Sequence, residues 1–362
     1  MKHIDVYRLC IWIFVIGSIG PTHVIGQSSL PTDRAAYVSD ASFWVANYQP
    51  KSNGHSPEEM VEAANALIKS LDSALQKQLQ FDLKSPERRQ WTNLPARRSD
   101  TAGLRMGDLN QNQVNAACQL LATLMSDHGF QKMREIMLAD DQLLNGGRPR
   151  DGFGTENYFL CIFGTPDDTE PWAVQLDGHH IGVNLSVSGP QLTISPSFIG
   201  TQPQTFRIGK AAIRPLKGEI DTAYELVNSL SDAQRVQAVL KNRRGRIVSG
   251  PGNDGKAIPL EGLACESLDE SQRKLLFDLI SQWVNDLPQQ HAQRRLEQIK
   301  GEIDSMRFSW NGELEVGSDI SYRIQSPSLV IEYACQDLGG DPQQHLHTMY
   351  RDPQNEYGGQ LK

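Results

Sequence analysis

The sequence is poor in cysteine, in excess positive charge and in long apolar runs, and each shortage removes a class of function. Five cysteines in 362 residues, with no Cys-x-x-Cys, exclude a thiolate zinc knuckle and a thioredoxin-type redox pair. With 35 basic against 43 acidic side chains the formal charge is −8. Phosphate neutralisation needs a basic face, so nucleic acid is excluded as the main partner. Past Ile19 no segment is apolar for long enough to span a bilayer. Also missing are a Gly-x-Ser-x-Gly elbow, a Gly-x-x-x-x-Gly-Lys-[Ser/Thr] loop, a Gly-x-Gly-x-x-Gly turn after a strand and a His-Glu-x-x-His helix. Elbow-type serine hydrolases, P-loop nucleotide hydrolases, Rossmann enzymes and helix-borne zinc proteases are thereby disfavoured. The 39% hydrophobic content is that of a globular chain rather than a fibrous or disordered one.

The one long apolar run lies at the start. Lys2, His3 and Arg8 precede Leu9–Ile19, Pro21 ends the run, and Gly26 offers a small residue before Gln27. That is the layout of a secretory signal peptide. A spanning helix needs about 20 apolar residues, and Asp5 and Arg8 shorten this one. The expectation is a leader over residues 1–26 and a single exported domain over 27–362, periplasmic or extracellular, with no stable membrane insertion after cleavage. Cys118, Cys161, Cys265 and Cys335 would remain. An oxidising compartment allows three pairings of them. Cys118 on an apolar helix face and Cys161 in an apolar strand read equally as buried free thiols.

The periodicity divides the chain into a helical part, about 56–145, and a mixed strand and helix part, about 156–358. Ser56-Pro57-Glu58-Glu59 is a helix start, with a cap, a proline at the first helical position and a glutamate three after the cap. Val61, Ala64, Ile68, Leu71 and Leu75 follow at helical spacing. A second helix runs from Asp108 to Ser126 with Gly129 as its stop, and a third covers Gln131 to Leu144. From Tyr158 the period changes to two. Trp172–Leu176 and His179–Val187 read as a hairpin turning at Asp177-Gly178. Helical patterning returns over 220–242 and 270–306, the glycine-rich stretch 243–255 reads as a mobile loop, and strands follow at 308–310, 321–325, 329–334 and 345–350. No internal repeat is evident. The order predicts an α+β fold: a helical N-terminal part packed on a largely antiparallel β-sheet core, with additional helices.

Four histidines carry the chemistry. His345-Leu346-His347 puts two imidazoles on one side of a strand, within about 7 Å of each other. Neutral imidazole suits zinc, copper, iron and nickel. A further ligand from His179 or His180 would give three histidines and leave a position open for water or a carboxylate, as a catalytic site requires. Glu332 and Glu156 are the carboxylates within sequence reach, as a fourth ligand or general base. The competing reading makes the histidines hydrogen-bonded structural residues.

A set of motifs in fixed order surrounds these histidines. Phe81-Asp82, Arg88-Arg89-Gln90-Trp91, Pro95-Ala-Arg-Arg98 and Gly103-Leu104 open it, and Phe163-Gly164-x-Pro166, Trp172 and Gly178-His179-His180 form its centre. Tyr322-Arg323-Ile324-Gln325-x-Pro327, Ile331-Glu332, His345-x-His347 and Arg351-Asp352-Pro353-x-Asn355-x-Tyr357-Gly358 close it. The set resembles the bacterial and fungal domain-of-unknown-function family numbered 3500, over about Gln80 to Gly358. Ser326 stands where glycine is expected, and Glu356 where aspartate is usual. The resemblance implies that Gly-His-His and His-x-His belong to one constellation. It brings no activity.

Arg323, Arg351 and Asp352 lie beside the histidines in sequence. An arginine there could grip a substrate carboxylate at two points, and Asp352 could orient an imidazole. The plainer reading is an Arg–Asp pair closing a turn before Pro353. The sequence therefore supports an exported metalloenzyme. A divalent zinc, copper or iron ion would act on a small organic or peptide substrate, by hydrolysis or oxidation. The alternatives are a non-catalytic binding or interaction module, and a sugar-binding surface built on Trp91, Trp172 and Trp310.

Overall fold

A computed structural model of the protein describes residues 30–51, 54–96, 100–145, 152–241, 245–337 and 340–361. The expected leader and Arg98 lie outside them. Helix α1 (Asp40–Asn47) comes first, followed by α2 (Pro57–Ser70), α3 (Ser73–Leu79), β1 (Gln80–Phe81), β2 (Leu104–Arg105), α4 (Gln111–Leu124), α5 (Asp127–Asn145), β3 (Phe159–Phe163), β4 (Trp172–Gly178), β5 (Ile181–Ser188) and β6 (Gln191–Thr201). A small hairpin, β7 (Phe206–Ile208) and β8 (Ala211–Ile213), leads to α6 (Lys217–Ser229), α7 (Asp232–Ala238), β9 (Leu263–Ala264), α8 (Glu270–Val284), α9 (Gln289–Lys300), β10 (Arg307–Asn311), β11 (Ser321–Ser326), β12 (Leu329–Cys335) and β13 (Leu346–Arg351). The fold is α+β.

The start of α2 follows the sequence, whereas α4 begins at Gln111 rather than Asp108 and α5 at Asp127 rather than Gln131. Ser56 Oγ accepts from the Glu59 amide at 3.3 Å while Glu59 Oε2 accepts from the Ser56 amide at 3.0 Å, so two orphan donors of α2 are satisfied reciprocally. Gly129 does not stop a helix. It lies inside α5, where an added Cβ would sit 2.5 Å from the Asp286 carbonyl oxygen, so it permits a close approach instead. The helical stretch 270–306 is likewise broken, between Val284 and Gln289, with Pro288 at the new helix start.

One eleven-stranded sheet runs β1-β3-β4-β5-β6-β13-β12-β11-β10-β9, with β2 also on β3; among these strands β1 and β3 pair in parallel and the rest antiparallel, and Val239 adds a single parallel bridge to Trp310 on β10. The order is symmetric about the β6–β13 seam, and so is the register. Leu160 faces Leu176, which faces Val183; across the seam Phe308 faces Ile324, which faces Ile331. Both halves enter their sheet through the same segment. Gly103-Leu-x-Met-x-x-Leu-Asn-x-x-Gln113 and Gly262-Leu-x-Cys-x-x-Leu-Asp-x-x-Gln272 give a short strand, a 3-10 turn and a capped helix. Gln113 Nε2 donates to the Ser70 carbonyl at 2.9 Å, and Gln272 Nε2 to the Ser229 carbonyl at 2.9 Å. The fold is thus an internal repeat, contrary to the sequence reading.

Strand alternation gives the sheet two unlike faces. Trp172, Val174, Leu176, Val183, Leu185, Tyr322, Ile324, Ile331 and Tyr333 belong to the main buried cluster shared with the helices. The other face carries polar pairs and is covered by loops. In the first half Gln175 Nε2 donates to Asn184 Oδ1 at 2.7 Å and to the Arg88 carbonyl at 3.0 Å. At the matching place in the second half Arg323 pairs with Glu332 at 2.7 Å, and Glu332 accepts from the Val248 and Ser249 amides. The described part of the glycine-rich stretch read as a mobile loop, residues 245–255, therefore belongs to the covering of the second half. Cys118, Cys161 and Cys265 are free, buried thiols, and Cys335 is buried beside the Tyr333 hydroxyl. Among the described residues no helix is long and apolar enough to cross a membrane.

Candidate metal centre

The hairpin that presents the first histidine pair turns two residues later than the sequence suggested. Gly178 faces Ile181, so the loop is His179-His180 rather than Asp177-Gly178. The slip is even, which leaves Trp172, Val174, Leu176, Ile181, Val183 and Leu185 on the helix face but moves both histidines into the turn. His180 takes the left-handed backbone conformation, φ +68°, which histidine tolerates better than bulkier side chains. Three donors hold the tip. The Tyr158 hydroxyl donates to the His179 carbonyl at 2.6 Å, the Gly200 amide to the His180 carbonyl at 2.8 Å, and the Thr92 amide to both oxygens of Asp177 at 3.2 Å.

The second pair arrives from across the seam. β13 pairs with β6 so that His347 faces Gly200. A side chain at position 200 would meet the Leu346 carbonyl at 2.5 Å, His180 Cδ2 at 2.9 Å and His347 Cδ2 at 3.0 Å, so the missing Cβ is the space into which the imidazoles converge. His180 Nε2 and His345 Nε2 stand 2.8 Å apart. The rings of His179 and His180 lie 3.7 Å apart, centroid to centroid, and those of His345 and His347 4.7 Å. His179, His180 and His345 each offer a ligand atom, and the three atoms lie within 4.8 Å of one another. His347 flanks this group, 5.1 Å from the His180 ring, and its Nε2 is buried without a hydrogen-bond partner.

The carboxylate that orients a histidine is one the sequence reading missed. Asp140 Oδ1 accepts from His179 Nδ1 at 2.5 Å, and its other oxygen accepts from the Gly154 amide at 2.6 Å. With Nδ1 committed to Asp140, the His179 Nε2 lone pair is left to bind. The signal was an acidic Asp140-Asp141 pair following the apolar Ile136–Ala139 on a helix, where charge is costly unless paired. Burial, first, and the neighbouring imidazoles hold His180 and His347 well below the ordinary histidine range; burial and His179 bring His345 down to about 4. All three are neutral at pH 7, the state a metal ion requires.

The five other predicted residues are placed elsewhere. Glu332 is used up by Arg323 and by the loop, including the Ser249 hydroxyl at 2.6 Å. Glu156 is half-exposed and lies 3.7 Å from Arg105. Arg351 donates to the Ser249 carbonyl at 2.7 Å and pairs with Asp254 and Glu356, clamping the second covering loop. Asp352 pairs with Arg295 at 3.2 Å and caps its own turn, so it orients no imidazole. None of the five belongs to the histidine group.

A family model described as a protein of unknown function, DUF3500, matches residues 53–359. The chain belongs to DUF3500. No curated protein and no solved structure matches it. The DUF3500 match spans both halves of the repeat, and with them both contributors to the histidine group. Only the first half carries Gly-His-His at its hairpin tip; the second half has Ser326-Pro327-Ser328 there. In the DUF3500 chain the centre is therefore asymmetric. One half supplies the tip, the other the start of β13.

Proposed function

We propose that this DUF3500 protein is an exported metalloenzyme. His179, His180 and His345 would hold a divalent zinc, copper or iron ion, with His347 beside them as a further ligand. The observation that carries the reading is the convergence of three buried imidazoles, one of them anchored through Nδ1 to a carboxylate. At metal–nitrogen bonds near 2.0–2.1 Å, two nitrogens on one ion sit about 3 Å apart, close to the 2.8 Å between His180 and His345. An all-nitrogen donor set suits these ions over magnesium or calcium. Such an ion supplies a Lewis acid for hydrolysis, or a redox centre for oxidation, of a small organic or peptide substrate. The protein's part is to orient the imidazoles, keep His180, His345 and His347 neutral and exclude bulk water; the four histidines are all under 9% exposed.

A second reading has a specific observation behind it. The 2.8 Å contact also suits a hydrogen bond between one imidazole N–H and one bare nitrogen, as in a non-catalytic binding module. The unpartnered, buried His347 Nε2 supports the ion: it is one of a small number of buried polar atoms without a hydrogen-bond partner, and it lies beside the other three imidazoles. Elemental analysis of the purified full chain, beside His345→Gln, separates the two. The ion predicts about one metal per chain in the parent and little in the variant; negligible metal in both, after zinc, copper and iron loading, ends the proposal. Export rests on the leader pattern, and N-terminal sequencing of the protein recovered outside the cytoplasm checks cleavage before Gln27.

A further inference from the structure

A cavity lies far from the histidines. Its lining includes Ser186 and Val187, near the end of β5 opposite the tip. Six residues of strand from His180 to Ser186 place it on the order of 20 Å away. It holds about 450 Å³, with apolar walls from Leu83, Pro171, Val187 and Leu361. Its charged groups are unbalanced. Lys84, Arg88 and Arg89 line it against one carboxylate, Glu356, which is already paired with Arg351.

Arg88 is the decisive residue. Its guanidinium is half-buried, and its hydrogen bonds go to two neutral oxygens, Ser186 Oγ and the Tyr357 carbonyl, both at 2.8 Å. The guanidinium carbons of Arg88 and Arg89 lie 5.9 and 5.1 Å from the centre of the same Tyr357 ring. Two like charges thus share one aromatic ring, and among the described residues neither has a carboxylate within ion-pair distance. Burial, partly offset by Tyr357 and reinforced by Arg89, brings the Arg88 pKa down to about 10, so it stays a cation at neutral pH. A half-buried Arg88 beside a second, exposed cation, with no anion to offset them, is costly and calls for one. Arg295 shows the alternative, since it has Asp352 at 3.2 Å.

We propose that this cavity binds a small organic anion, an apolar body seated against Leu83, Pro171 and Val187 with its carboxylate or phosphate head on Arg88 and Arg89. A planar guanidinium meets such a head at two points, and the apolar lining excludes inorganic ions as the preferred occupant.

The experiment titrates the full chain with octanoate, octyl phosphate, 1-octanol and inorganic phosphate by calorimetry. At least one of the two amphiphilic anions should bind tenfold more tightly than 1-octanol and than inorganic phosphate, and which one binds better identifies the head group. Arg89→Gln, whose side chain is exposed, should weaken that binding at least fivefold with an unchanged melting temperature. Arg88→Gln should weaken it further, and His345→Gln should leave it unaltered. Failure of both anions to bind more tightly than 1-octanol, or equal binding by folded Arg89→Gln, overturns the proposal.

Discussion

At the scale of single residues, the centre turns on an aspartate as much as on its histidines. His179 can present Nε2 only while Nδ1 is held by Asp140. Asp140→Asn keeps the size but can turn its NH2 toward the ring, which favours the wrong tautomer. The expected result is a loss of metal affinity of about 10–100-fold, read by chelator competition, with Asp140→Glu recovering part of it. Equal affinity in Asp140→Asn would mean that the carboxylate orients nothing. The four histidines were legible in the sequence because period-two spacing and a paired occurrence are visible there. Asp140 was not, because helix α5 reaches the hairpin tip only through tertiary packing. Gly200 was invisible for a similar reason: its role is the absence of an atom between two rings that approach from different strands.

At the scale of elements, the repeat offers a control that the molecule carries within itself. The cross-strand pair Gln175–Asn184 of the first half stands where Arg323–Glu332 stands in the second. Removing one member of a buried ion pair leaves its partner uncompensated, so Arg323→Gln should cost about 3–5 kcal/mol in urea unfolding. Transplanting the first half's pair as Arg323→Gln with Glu332→Asn should restore more than half of that loss, because both remaining groups are neutral. A double variant no more stable than the single one would show that Arg323 and Glu332 do more than hold the covering loop. The element order was legible from periodicity, and the α+β class followed. The hairpin turn was misplaced because alternation fixes which face a residue takes but not how far a strand continues. The repeat escaped notice because its signature is spread over Gly, Leu, a sulfur side chain, Leu, an N-cap and Gln, with the positions between free to vary.

At the scale of the whole molecule, burying several neutral imidazoles ties stability to pH. In the unfolded chain these histidines titrate near 6.5. In the fold His345 titrates near 4, and His180 and His347 well below the ordinary value, because burial penalises the cation. Below pH 6.5 the unfolded state therefore binds more protons than the native state, and stability falls as the pH falls. The contribution is present in full above the unfolded value and is lost progressively through pH 6.5 to 4. Metal-free protein, prepared with chelator, should show a falling urea midpoint across that window at constant ionic strength. His345→Asn removes one of the titrating groups and should reduce the loss between pH 7 and pH 5 by roughly 2 kcal/mol, at the cost of the His180 contact. Loaded protein should fall more steeply at the acid end, since protons then compete with the ion for the same nitrogens. Parallel curves for parent and variant would show that His345 is not held neutral by the fold, and with that the electrostatic basis for an ion between the two halves would be gone.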